Sequence, residues 1–422
     1  ALRSAVRAPA GPIAGRVEAA RGHLARAQAL AVAGRYDAAR AEVDTIVAEA
    51  EDLAFAPLLA PALLLRSRLL RSQGAFAEAK VVARDAALRA LEARDDELMA
   101  HAFIEQVSVA GDGLGDDAAA QEWGRFARAA LARRDDPPVP RADLERALGA
   151  SAYRVGRFAD AAAHDAEALQ LLERAPARDD LAISAVHNNL CIAASDRGQH
   201  DEAVAHCRTS LDLTRELLGA DHPETAQTLS NLGRALMMAG RAAEAEGLVR
   251  ESIAVRRRNG AGKTLGTAMA LVNLSATLLA LGRAPEAERA ARESDALYVE
   301  LGSDKRAFAL TNLGDALRLQ GRHGDARAAY AEAEALWRTT LGPAYPPRME
   351  AVRGLGQSLH AEGRLDEAAA HLREALTLAE AQLGREHGDV IALRQELGEV
   401  IAAPRPGAPH RRPSPSAMVK GP

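Results

Sequence analysis

The chain has 422 residues, a formal net charge of −5, 48% apolar residues and only 3% aromatic ones. Mild acidity removes the electrostatic footprint of a nucleic-acid binder. The longest apolar run, Leu53 to Leu65, has 13 residues, contains Pro57 and Pro61, and is too short to span a bilayer.

Residues 1–19, with Pro9 and Pro12, read as a lead-in or linker. The first residue is Ala1, which reads as a processed chain or one cut from a longer protein. No secretory signal pattern stands at the start. From there a glycine followed a few residues later by an acid and an alanine recurs nine times. The glycines are Gly34, Gly74, Gly115, Gly156, Gly198, Gly240, Gly282, Gly321 and Gly363, spaced 39 to 42 residues apart. A fixed period of this size marks a stacked-repeat protein. The phrases at Gly34, Gly74 and Gly115 are the most degenerate. Repeats are expected over 20–403.

The stretch from Asp221 to Gly260 shows one unit clearly. Gly219 ends a preceding helix. Pro223 suits a first helical turn and Glu224 its positive end. Leu229, Leu232 and Leu236 recur at helical spacing. Gly240 breaks the chain, and a second helix is predicted over about 242–258, with Ala245, Leu248, Val249 and Ile253 on one face. Small residues twelve positions apart across the turn let the two helices approach: Gly233 and Ala245, Cys191 and Ala203, Ser275 and Ala287, Gly314 and Ala326, Gly356 and Ala368. Each hairpin leaves an outer apolar face that its neighbour must cover. Near the end, 389–403 repeats the first-helix pattern before Pro404 stops it. That helix is expected to cap the stack with a polar outer face. Residues 404–422 read as a Pro-rich basic tail.

Small residue, turn glycine and early second-helix alanine together resemble the tetratricopeptide repeat. The long period and the linkers Leu218-Gly219-Ala-Asp-His222-Pro223, Leu341-Gly342-Pro-Ala-Tyr-Pro346 and Leu383-Gly384-Arg-Glu-His387 are similar to the kinesin-light-chain-like subclass. The resemblance implies an all-α right-handed superhelical solenoid of about nine hairpins and a capping helix. It also implies a concave face made of first helices that takes protein or peptide partners.

Candidate chemistry is sparse. Gly260-Ala-Gly262-Lys263-Thr264 ends like a phosphate-binding loop, but the required earlier glycine is Arg257 and no strand precedes it, so it reads as an inter-repeat turn. Cys191 and Cys207, with His200 and His206 nearby, lack zinc spacing. They read as unpaired core thiols of a reducing compartment. No catalytic, cofactor or metal constellation stands out. No nucleic-acid or membrane partner is expected.

An asparagine column is the informative polar set. Asn189, Asn231, Asn273 and Asn312 each lie two residues before the small slot, and Asn188 doubles the first. Asparagine costs a few tenths of a kcal/mol inside a helix, so its repetition in phase asks for a cause. Either each amide bonds to the neighbouring hairpin and fixes the stacking angle, or the column lines the groove and meets an extended peptide. Relatives implied by the resemblance use such asparagines on peptide backbone. Arg234, Asp315, Arg318, Arg353 and Gln357 complete the expected groove. Asp315 and the scarcity of lysine argue against a carboxylate clamp. The leading expectation is a non-enzymatic, cytoplasmic interaction scaffold, with self-association through an end repeat also weighed. The arginine-rich composition reads as a GC-rich bacterial bias. The alternative is the regulatory C-terminal region of a bacterial serine/threonine protein kinase, whose catalytic motifs this chain lacks. A transcription regulator would need a helix-turn-helix that is also missing.

Overall fold

A computed structural model describes residues 11–340 and 348–403. The expected tail at 404–422, the first ten residues of the lead-in and the Leu341-to-Pro346 linker lie outside the described residues. Among the described residues there are nineteen α-helices, one π turn and no strand. Two compact units divide the chain, Ala1–Gly262 and Lys263–Pro422.

The first unit pairs α1 (Gly11–Val32) with α2 (Tyr36–Asp52), α3 (Ala56–Ser72) with α4 (Phe76–Glu92), and α5 (Asp96–Ser108) with α6 (Asp117–Ala132). Next come α7 (Pro138–Arg154) with α8 (Phe158–Glu173), α9 (Asp180–Asp196) with α10 (His200–Leu218), and α11 (Pro223–Met238) with α12 (Ala242–Arg258). The second unit pairs α13 (Leu265–Ala280) with α14 (Ala284–Glu300), α15 (Arg306–Leu319) with α16 (His323–Thr340), and α17 (Arg348–Ala361) with α18 (Leu365–Leu383). A single helix, α19 (Gly388–Ala402), follows. All nine phrase glycines sit at φ between 70° and 81°, the left-handed region where a side chain is strained. That requirement is why the phrase repeats.

One register recurs from hairpin to hairpin, interrupted in the third by its π turn. The small residue at position i of a first helix faces the carbonyl of residue i+12 in the second. Ser67 Oγ donates to Ala79 O at 3.1 Å and Ser275 Oγ to Ala287 O at 2.9 Å. Residue i+16 then fills the space above it. A Cβ on Gly233 would lie 2.3 Å from Val249, one on Gly314 2.6 Å from Tyr330, and one on Gly356 2.8 Å from Leu372. Size on one side is matched by its lack on the other, which is how interdigitated cores fill space.

At the same register Cys191 and Cys207 are joined as a disulfide between α9 and α10. This overturns the expectation of two free core thiols. Their separation of 16 residues is the hairpin register itself, so the fold brings the two sulfurs face to face. The helix α19 packs Val390, Leu393 and Val400 onto α18, as a cap should. Its other face differs from the polar surface expected, because Ile391 and Ile401 are 53% and 59% exposed there.

Candidate functional site

Within the first unit the first helices of successive hairpins share one inner wall. A cavity of about 640 Å³ lies against it. Its lining comes from α3 (Arg68, Arg71), α5 (His101, Glu105), α7 (Asp143, Arg146), α9 (Ala185, Asn188) and α11 (Glu224, Gln227). Helical periodicity selects these positions: they lie one, three, six or so residues from the small slot, on the face turned away from the second helices.

Charges on this wall are mixed. Arg71 donates to the buried Glu105 at 3.0 Å, and Glu105 also accepts from Ser67 Oγ at 3.3 Å. Burial opposes charge on Arg71, but Glu105 outweighs it and raises the guanidinium pKa. Arg146 makes no ion pair among the described residues, and its Nε is buried without a hydrogen-bond partner. Burial lowers the His101 pKa, helped by Arg68. Behind the wall, Asp165 faces Gly149 at the i+16 position and accepts from Asn189 Nδ2 at 3.1 Å. Burial pushes its pKa up to about 7 against the pull of Asn189 and Arg146.

The wall meets itself. The turn after α1 touches the start of α11, 190 residues later: His222 Nε2 lies 3.0 Å from Val32 O. The His222 Nδ1 accepts from Glu224 N at 3.1 Å, which leaves Nε2 as the donor. Pro223 packs on Gly34, where a Cβ would lie 2.9 Å from its ring. Burial and the nearby Glu224 raise the Tyr36 pKa at the same seam.

The asparagine column sits one residue away from this wall row and points along the stack. Asn231 Nδ2 donates to Asn188 Oδ1 at 2.8 Å, one hairpin back. Asn312 Nδ2 donates to Val272 O at 3.0 Å, again one hairpin back, and Asn273 is buried at 6% exposure. Arg234 pairs with Asp196, which also takes the Tyr153 hydroxyl. Asp315 accepts from Tyr330 Oη at 2.7 Å and pairs with Arg318 at 3.4 Å. Arg353 pairs with Glu396, which Gln357 also reaches at 3.1 Å. Of the ten groove residues expected from sequence, Asn188 and Asn189 line the cavity. Arg68, His101, Asp143 and Arg146 were missed. Their signal is the residue three before each small slot and its helical neighbours, visible only once the slot is known.

Other expectations settle locally. Thr264 caps α13 by accepting from Thr267 N, so the glycine-lysine-threonine stretch is a helix start, and Lys263 pairs with Glu300 at 2.8 Å. His206 faces His187 with Nδ1 atoms 2.9 Å apart. Among the described residues no group of three or more His, Cys, Asp and Glu could hold a metal ion, and no helix is long and apolar enough to cross a membrane.

Two family models, both described as tetratricopeptide repeat, match this sequence. One matches at 182–258, 228–298, 266–339 and 305–381, the other at 14–45. The sequence matches no curated protein. Among solved structures, a Rap protein complexed with Competence and Sporulation Factor is similar at a TM-score of 0.55 and 14% identity, covering 81% of this chain and 99% of that one. The apo form of RapI gives 0.52 and 9%, covering 81% and 99%. The repeats of a Podosopora anserina putative kinesin light chain give 0.39 and 18%, covering 49% and 99%. Identities this low concern the fold alone.

Proposed function

The chain belongs to the tetratricopeptide repeat family, and from that premise we propose that it is a protein-interaction scaffold whose first unit holds an extended peptide against its inner wall. The observation that carries this reading is the wall itself: amides and charges of both signs around about 640 Å³, inside the range of ~300–1,000 Å³ usual for ligand pockets. An extended peptide presents unpaired backbone donors and acceptors, and Asn188, whose oxygen takes Asn231, can offer its amide nitrogen to a peptide carbonyl, while Gln227 is held between Asn231 and Arg256. Arg68 and Arg146 share the cavity lining with Asp112, Asp143, Asp179 and Glu224, which disfavours a polyanion and suits a chain of mixed charge. The Rap structure that shares the fold holds Competence and Sporulation Factor, which gives the reading a precedent of the same architecture. Asn189, Asn231 and Arg234, bonded to Asp165, Asn188 and Asp196 one hairpin back, hold hairpins of the first unit at their angle and so shape the wall indirectly.

The test begins by panning random heptapeptides displayed on phage against the full chain. A selected peptide is then titrated against Arg146→Ala, Asp143→Asn and Asn188→Ala. Each should weaken binding about tenfold or more at unchanged helicity. Asn312→Ala should lower the melting temperature and leave binding alone. Peptides indifferent to all three wall variants would refute the assignment.

A further inference from the structure

Every first helix of the second unit carries a four-residue stripe that its own second helix covers. In α13 the stripe is Ala268, Leu271, Ser275 and Leu278; in α15 it is Ala307, Leu310, Gly314 and Leu317; in α17 it is Met349, Val352, Gly356 and Leu359. Every one of them is buried. The same register in α19 reads Ile391, Arg394, Gly398 and Ile401. Both isoleucines are more than half exposed, and a Cβ on Gly398 would meet nothing within 4 Å. The stretch that follows has proline at 404, 406, 409, 413 and 415.

We propose that this face of α19 is a docking site for one amphipathic helix of another polypeptide, seated as the second helices are seated elsewhere in this chain. The chain's own hairpins specify that helix. Twelve positions on from the small slot they carry alanine, whose carbonyl meets the slot. Sixteen positions on, a large apolar residue fills three of the glycine slots: Val249 at Gly233, Tyr330 at Gly314 and Leu372 at Gly356. One residue before the large one, the second helix meets the position four before the slot. His23 pairs there with Glu42 at 3.1 Å, and Glu145 with His164 at 2.7 Å. In α19 that position is Arg394. Its Nε and Nη2 donate to Glu380 Oε1 at 3.2 and 2.6 Å and its Nη1 to Arg385 O at 3.1 Å; the second hydrogens of Nη1 and Nη2 are left, and with the side chain 40% exposed they can take a second acid. The partner helix therefore carries Ala-x-x-Glu-(large apolar), the large residue being one that enters a glycine slot. Arg394 also discriminates: it admits a helix with an acid there and repels a purely apolar or basic one.

A probe of this pattern exists within the chain, since α2 reads Ala39-Arg40-Ala41-Glu42-Val43. A fluorescein-labelled peptide of residues 36–52 is titrated into the full chain and followed by anisotropy. Saturable binding is expected, weakened about tenfold by Ile401→Asp or Gly398→Leu in the chain, and similarly by Glu42→Lys in the peptide. Arg394→Glu should restore the Glu42→Lys peptide. Circular dichroism of each chain variant must match the parent, and Ile391→Ser serves as a milder second variant if Ile401→Asp does not fold. Binding unaffected by these changes, or no binding, overturns the proposal. So does a concentration-dependent dimer by sedimentation that Ile401→Asp abolishes, because the face would then be covered by a second copy. Wall variants of the first unit should leave the anisotropy unchanged, which separates this site from the peptide site proposed above.

Discussion

Asp165 occupies the large-residue position opposite a glycine, where other hairpins place Val249, Leu372 or Tyr330. A carboxylate in that position is 2% exposed, and its pKa rises from an ordinary 3.8 to about 7. Between those values the folded chain binds a proton that the unfolded chain has released. The sign follows: stability from this group is fully present at acid pH and is lost as pH rises from about 4 toward 7. Asp165→Asn keeps the oxygen that accepts from Asn189 and removes the charge. It should stabilise the protein at pH 8 by on the order of 2 kcal/mol and leave it nearly unchanged at pH 4. Urea unfolding at the two pH values measures this, and equal stability of the two chains at pH 8 would show that Asp165 is not strained by its burial.

The hairpin is the element in which sequence and fold agree most closely. Turn glycines, the slot pairs twelve apart and the ends of α11, α12 and α19 were legible because each depends on neighbours within about forty residues. The second half of the same register was equally written but unread. Residues sixteen apart alternate in size, Gly with Val, Leu or Tyr and Cys with Cys, and that rule pairs Cys191 with Cys207. A serine column was overlooked for the same reason: Ser252 Oγ donates to Ala226 O at 2.6 Å and Ser294 Oγ to Ala268 O at 2.8 Å, 26 residues apart in both cases. These bonds join the two helices of one hairpin, whereas the asparagine column joins one hairpin to the last. The register also says what the disulfide replaces. Cys191→Gly with Cys207→Val reproduces the Gly233–Val249 pair and should fold with the same helicity. It should lose about 3 kcal/mol, the value for closing a loop of roughly fifteen residues, in denaturant titration. A matching loss in the parent on adding dithiothreitol is the companion measurement, and a parent insensitive to reductant would refute the link.

At the scale of the first unit, the inner wall was not legible, because it collects one or two residues from each of several hairpins whose stacking no local pattern encodes. The π turn at Val109–Gly113 adds an irregularity in the third hairpin that carries Asp112 onto the wall. The seam was equally hidden, since a contact 190 residues apart leaves no periodic trace. It can be isolated by comparing two turns. Gly34→Ala and Gly74→Ala both force a side chain into the left-handed region, at about 1 kcal/mol. Only the first would also drive a methyl against Pro223, because nothing lies within 4 Å of a Cβ on Gly74. Gly34→Ala should therefore speed hydrogen exchange in the first turn of α11, with Gly74→Ala as the silent control. Equal exchange in the two variants would mean that the two ends merely lie near each other.

A wall that meets itself also governs time. For a peptide held as proposed, the joint between Val32 and His222 closes one way past the wall, so leaving on that side needs the joint to part. Loosening that joint should then shorten the dwell time of a peptide held as proposed.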